Sequence, residues 1–138
     1  MREHCRNKTD EQVKAFGGEK RNCRESPPFF KRGYDSTRGD VLDTLEYWIQ
    51  LAGIDHVSIG RDFTENQSEE WFHWLMAGKR KDTVYPLQLP LKLPQGIERA
   101  DQFPNITAGL VDRGYTAESI QKILGLNVLR LFERVWKQ

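Results

Sequence analysis

Three histidines, two cysteines and no long apolar run are what this 138-residue chain has least of, and each shortage narrows its function. Cys5 and Cys23 have neither a CxxC spacing nor a histidine cluster nearby, so they make neither a disulfide framework nor a zinc site. A reducing compartment is the simpler expectation, and with it a cytoplasmic location. No stretch approaches the roughly 20 apolar residues that cross a bilayer. The polar run over residues 2–14 is not a signal peptide. An excess of one charge is lacking as well: the net charge is +1, which does not point to nucleic acid. The charge is uneven, with ten Lys/Arg against six Asp/Glu over residues 1–39 and eleven against fourteen over the rest. A basic arm for an acidic partner is conceivable on that count, but no nucleic-acid motif or stacking pattern accompanies it. Repeats and low-complexity tracts are absent too.

What is present is a globular composition of one domain at most, or a piece of a larger one. A mean hydropathy of −0.70 is low for a self-sufficient α/β domain of this size and suggests that core strands are missing. The most informative stretch is residues 54–66. Ile54, Val57 and Ile59 form a short β-branched run closed by Gly60, the pattern of a buried parallel strand. Asp62 follows just past its carboxyl end, where α/β folds gather catalytic and ligand-binding side chains.

The remaining pattern is mostly helical. Residues 9–16 read as a short helix with Thr9 and Gln12 as a capping box, stopped by Gly17-Gly18. Residues 19–26 carry five charges in eight positions and cannot be a buried strand. Over residues 38–51, Val41, Leu42, Leu45, Trp48 and Ile49 fall on one helical face. Residues 68–76 form a helix capped by Ser68, and residues 79–96, with three of the six prolines, form a loop. Residues 104–113 are helical up to Gly114. Thr116 caps residues 117–124, Gly125 punctuates, and Asn127 caps a last helix lined by Val128, Leu131, Phe132 and Val135. The fold class is therefore α/β, incomplete and mostly helical with one clear strand. One strand makes no sheet, so the chain reads as a fragment of an α/β protein.

Several blocks together resemble the membrane dipeptidase (renal dipeptidase) family of zinc metallopeptidases, peptidase family M19. They are His4-Cys5-Arg6-Asn7-Lys8-Thr9-Asp10-Glu11-Gln12, Pro27-Pro28-Phe29 with Asp40-Val41-Leu42-Asp43, the run GIDHVSIGRDFT over residues 53–64, and Gly96-Ile97-Glu98. Phe103-Pro104-Asn105-Ile106, Arg113-Gly114-Tyr115 and the ILGxNxLRxFxxVW ending at Trp136 complete the set. The resemblance covers residues 1–138 apart from the divergent segment 19–26, which replaces an apolar barrel strand. It implies a metallo-dependent-hydrolase-type (β/α)₈ TIM barrel, of which this chain would be roughly the C-terminal third. It also implies hydrolysis of dipeptides by a pair of bridged zinc ions at the barrel's carboxyl face.

Two roles carry over by the resemblance. Arg6 matches the arginine that grips the substrate carboxylate, a task suited to a bidentate guanidinium, against the plain alternative of a surface arginine. Asp62 matches the aspartate that binds the substrate's amino end and helps move the proton, making it both the catalytic and a substrate-binding candidate; the plain alternative is a capping or loop aspartate. The family's zinc ligands lie upstream of the region matched here. His4 falls on a non-ligand position, His56 inside the strand and His73 inside an aromatic helix, so no metal ligand is expected in this chain. The expected function is that of a dipeptidase-like protein carrying the substrate-binding Arg6 and Asp62. A dipeptide would be its substrate, and an upstream barrel fragment its possible partner. The alternative is a non-catalytic remnant or protein-interaction module.

Overall fold

Thr9 begins the first helix by reciprocal capping. Its N–H donates to Gln12 Oε1 at 3.0 Å, and the Gln12 N–H donates to Thr9 Oγ1 at 3.3 Å. The computed structural model describes residues 8–18, 23–25, 36–60, 66–76 and 93–136. In chain order these form α1 (Asp10–Gly18), β1 (Cys23–Glu25), α2 (Arg38–Ala52), a 3₁₀ turn (Ile54–His56), β2 (Val57–Ile59) and α3 (Glu69–Met76). A second 3₁₀ turn (Ala100–Gln102) follows, then α4 (Pro104–Asp112), α5 (Ala117–Gln121), a π-helical turn (Lys122–Leu126) and α6 (Asn127–Val135).

Helix α1 takes in both glycines and ends at Gly18. Gly17 is also needed for contact: a Cβ there would lie 2.6 Å from the Ala52 carbonyl oxygen at the end of α2. Helix α2 opens with its own capping box, the Asp40 N–H donating to Thr37 Oγ1 at 3.3 Å and the Thr37 N–H to Asp40 Oδ2 at 2.9 Å. Such a cap contributes about 1 kcal/mol. Val41, Leu42, Leu45 and Trp48 are buried, as their spacing requires, and Ile49 is half-buried. This stripe is the centre of the core. It meets Val13 of α1, Val57 and Ile59 of β2, and Ile106 and Leu110 of α4. The crossing with α4 is tight at Gly109, where a Cβ would stand 2.5 Å from Leu42 Cδ1. Truncating Leu45, which is fully buried, would cost about 2–5 kcal/mol.

The expectation of a single strand needs correcting. Cys23–Glu25, inside the charged segment 19–26, is a strand paired in parallel with Val57–Ile59 in the register Cys23↔Val57, Arg24↔Ser58 and Glu25↔Ile59. Ladder bonds are made by the backbone, and charge governs which side chains can be buried rather than whether the chain can pair. Strand β2 is buried at all three positions, in keeping with a parallel strand, but it is shorter than expected. Its first residues form the 3₁₀ turn, so His56 lies before the strand and not within it.

The carboxyl-terminal helices also differ from expectation. Gly125 does not punctuate and Asn127 does not cap. Residues 117–135 continue through the π-helical turn, and Asn127 itself has helical dihedrals. Helix α3 is capped by Ser68, whose Oγ accepts from the Trp71 N–H at 3.2 Å. Only part of its aromatic surface is covered: Phe72 is buried and Trp74 is 66% exposed. The loop expected over residues 79–96 lies outside the described residues as far as position 92. Beyond it, Gln95 bridges in parallel to Thr37.

Candidate functional site

The site region is the carboxyl end of the two parallel strands. Because β1 and β2 run in the same direction, their carboxyl ends share one side of the sheet, and Gly60 closes β2 in a buried position. Asp62 follows two residues later in sequence. Asp62 and Arg6, the two candidate substrate-binding residues, both lie outside the described residues, as does His4.

What the structure does describe is how β2 is held. Asn127, 2% exposed, points from α6 at the turn before β2 and at its first residue. Its Nδ2 donates to the Ile54 carbonyl at 2.7 Å and to the Val57 carbonyl at 2.8 Å. Both hydrogens of one amide are thus spent on backbone acceptors. The Asn127 Oδ1 in turn accepts from Arg130 Nη2 at 3.3 Å, and the same guanidinium donates to the Asp55 carbonyl. On the other side of that turn, Lys122 Nζ lies 3.1 Å from Asp55 Oδ1 and 3.0 Å from Glu118 Oε1. The Lys122 hydrogen bond holds the Asp55 carboxyl below the ordinary carboxylate range, with the Lys122, Arg130 and His56 charges adding to it against partial burial. Glu118 first, then Asp55, holds Lys122 above the usual lysine range. The sequence reading missed Asn127 as a bracket. The available signal was its phase: it lies seven residues after Ile120 and four after Ile123, both buried, and a polar side chain in that stripe must find partners.

Other blocks that carried the resemblance prove to be joints. In Gly96-Ile97-Glu98, Ile97 is fully buried, and Glu98 Oε2 accepts from the Gly96 N–H at 2.8 Å. The Gly96 carbonyl accepts from Asn105 Nδ2 at 2.7 Å, tying this turn to α4. Arg113, after α4, pairs with Asp43 and with Glu46 on α2 at 2.6 Å each, and its Nη2 also donates to the Gly39 carbonyl at 3.3 Å. Partial burial alone would lower the Arg113 pKa, but its carboxylate partners outweigh burial and raise it above the ordinary value. At the start of the fold, the Tyr47 hydroxyl donates to Asp10 Oδ2 at 2.6 Å, which raises the tyrosine pKa.

A zinc pair is the cofactor that the resemblance implies. Among the described residues no three His, Cys, Asp or Glu side chains converge as a metal ion requires. His56 is half-buried before β2, and His73 is exposed on α3. The described residues therefore do not fit the metal pair. No helix among them is long and apolar enough to cross a membrane.

Parallel strands beneath packed helices make this an α/β chain, and comparison with solved structures places the arrangement. It superposes on an amidohydrolase from Pseudomonas aeruginosa with a TM-score of 0.81 and 33% identity, over 99% of this chain and 43% of that one. The fold is also that of dipeptidase AC, a metallopeptidase of family M19, with a TM-score of 0.68 and 23% identity, over 95% of this chain and 33% of that one. The family model for membrane dipeptidase (peptidase family M19) matches residues 91–138. The dipeptidase ataJ of Aspergillus terreus is 32% identical over 101 residues, 73% of this chain. The chain belongs to the membrane dipeptidase family, M19. It spans between 18% and 28% of the length of the curated relatives that it matches.

Proposed function

We propose that this chain is the carboxyl-terminal part of a (β/α)₈ barrel and acts in the hydrolysis of dipeptides by supplying the groups that grip the substrate. In this reading the zinc ligands come from polypeptide outside these 138 residues. The Arg6 guanidinium takes the dipeptide's carboxylate in a two-pronged, charge-assisted pair. The Asp62 carboxylate receives the amino end and carries a proton toward the leaving amine. The observation that carries the reading is a short buried parallel strand, β2, fixed by Asn127, with Asp62 two residues past its closing Gly60. Family membership supplies the dipeptide as the substrate class.

The test is steady-state kinetics on the 138-residue chain combined with a polypeptide providing the remaining part of the fold, with zinc and a dipeptide. Arg6→Ala is expected to raise KM by about 10- to 100-fold, from the loss of roughly 1.5–3 kcal/mol of charge-assisted binding. Asp62→Asn is expected to lower kcat by about 100-fold or more, the range of a lost acid–base group. Full activity in both variants would contradict the reading.

A further inference from the structure

We propose that Tyr47, through its hydrogen bond to Asp10, is a positioning residue that sets Arg6 relative to Asp62. The inference deepens the preceding reading and rests on it, taking Arg6 and Asp62 as the groups that hold the two ends of a dipeptide.

The argument starts at the amino end of α1. Asp10 opens that helix, and Arg6 lies four residues earlier in sequence. Four residues span at most about 14 Å, so the placement of the first turn of α1 limits where the guanidinium can reach. That turn has little apolar anchorage: Thr9, Glu11 and Gln12 are exposed, and the first core side chain is Val13, which is fully buried. The Thr9–Gln12 capping box closes the turn on itself. Helix ends without packing fray, and a frayed first turn would loosen the residues before it. Tyr47 supplies a tie to the rest of the fold. Its hydroxyl donates to Asp10 Oδ2 at 2.6 Å, across 37 positions of sequence, a distance typical of a charge-assisted bond to a carboxylate.

The other end of the tie is firm. Tyr47 lies on α2 between Leu45 and Trp48, both buried, so its backbone is fixed by the core. Helix α2 passes through the 3₁₀ turn into β2, and Asp62 follows two residues after the closing Gly60. The contact between α1 and α2 therefore links the Arg6 arm to the strand that leads to Asp62. Gly17 against Ala52 fixes the carboxyl end of α1 on α2, and Tyr47–Asp10 fixes its amino end. The two contacts are about 10 Å apart along the helix, so together they set its direction as well as its place. Two-pronged pairing of a guanidinium with a carboxylate needs that precision, because a misplacement of about 1 Å can cost up to about 100-fold.

The test is steady-state kinetics on the zinc-loaded mixture of the 138-residue chain with the remaining part of the fold. Two substrates are compared: a dipeptide, and the same dipeptide as its amide, which lacks the carboxylate. Tyr47→Phe and Asp10→Ala are each expected to raise KM for the dipeptide about 3- to 10-fold, with kcat changed by less than about twofold. The double variant should be no worse than either alone, since both remove one bond. Asp10→Asn keeps an acceptor for the hydroxyl and should stay near the unsubstituted chain. On the amide, KM should not respond to any of these changes. A general loosening of the helices would affect both substrates alike, so equal rises on the two overturn the proposal. So does an unchanged dipeptide KM in Tyr47→Phe while Arg6→Ala raises it, a result that leaves the hydrolytic reading standing. Asp10→Asn as damaging as Asp10→Ala assigns the effect to charge and overturns the proposal too. If Tyr47→Phe lowers helicity, Asp10→Ala carries the same comparison. No hydrolysis in the mixture, or hydrolysis indifferent to Arg6→Ala, removes the hydrolytic reading and this inference with it.

Discussion

Asn127 shows how much one side chain can decide. Its amide donates to the Ile54 and Val57 carbonyls at the start of β2, so Asn127→Ala removes both hydrogen bonds. The expected loss is about 1–3 kcal/mol by urea denaturation; a change within 0.5 kcal/mol would contradict the bracket. Asp55 sits on the same turn with a lowered pKa. A depressed carboxyl stabilises the fold above its unfolded value and loses that contribution as pH falls through its folded value. Stability should therefore decline on acidification below about pH 4, and Asp55→Asn should flatten part of that decline when unfolding is followed against pH. The contribution is small, under about 1 kcal/mol, because the side chain is 49% exposed and screened by solvent. Capping residues were legible at this scale: Thr9, Ser68 and Thr116 all cap as their types and spacing indicate, and Thr37, which the sequence reading does not single out, caps as well. Asn127 was not, because the same residue type also favours caps, and only its helical phase separates the two roles.

At the scale of elements, periodicity was the reliable guide. The spacing of Val41, Leu42, Leu45 and Trp48 gave both the helix and its buried face. The π-helical turn over Lys122–Leu126 was not legible, since a single widened turn leaves no compositional mark and Gly125 imitates a helix end. Strand β1 is not legible in its composition, because its ladder is made by the backbone while its side chains carry charge. Two glycines in helices give predictions of opposite sign. Gly17→Ala pushes a methyl group to 2.6 Å from the Ala52 carbonyl oxygen and should cost about 1–3 kcal/mol in thermal or urea unfolding. Gly125→Ala meets nothing within 4 Å and should stabilise the chain by about 0.4–1 kcal/mol. Equal effects at both positions would show that helix packing, not intrinsic propensity, has been misplaced.

For the whole molecule, the low mean hydropathy and the exposed apolar side chains of α6 agree with the proposal that this chain supplies part of a larger core. Family membership was legible because the blocks that carry it are joints with fixed geometry, such as Gly96-Ile97-Glu98 against Asn105 and Arg113 against α2. Arg6 rests on the resemblance alone and Asp62 on the resemblance together with its place in sequence just past β2; both lie outside the described residues. The most direct measurement of the central claim is the rate of dipeptide hydrolysis by the purified chain with zinc, alone and after addition of the remaining part of the fold. The account predicts no turnover above background for the chain alone and restored turnover in the mixture. Hydrolysis at an enzyme-like rate by the 138 residues alone would contradict it.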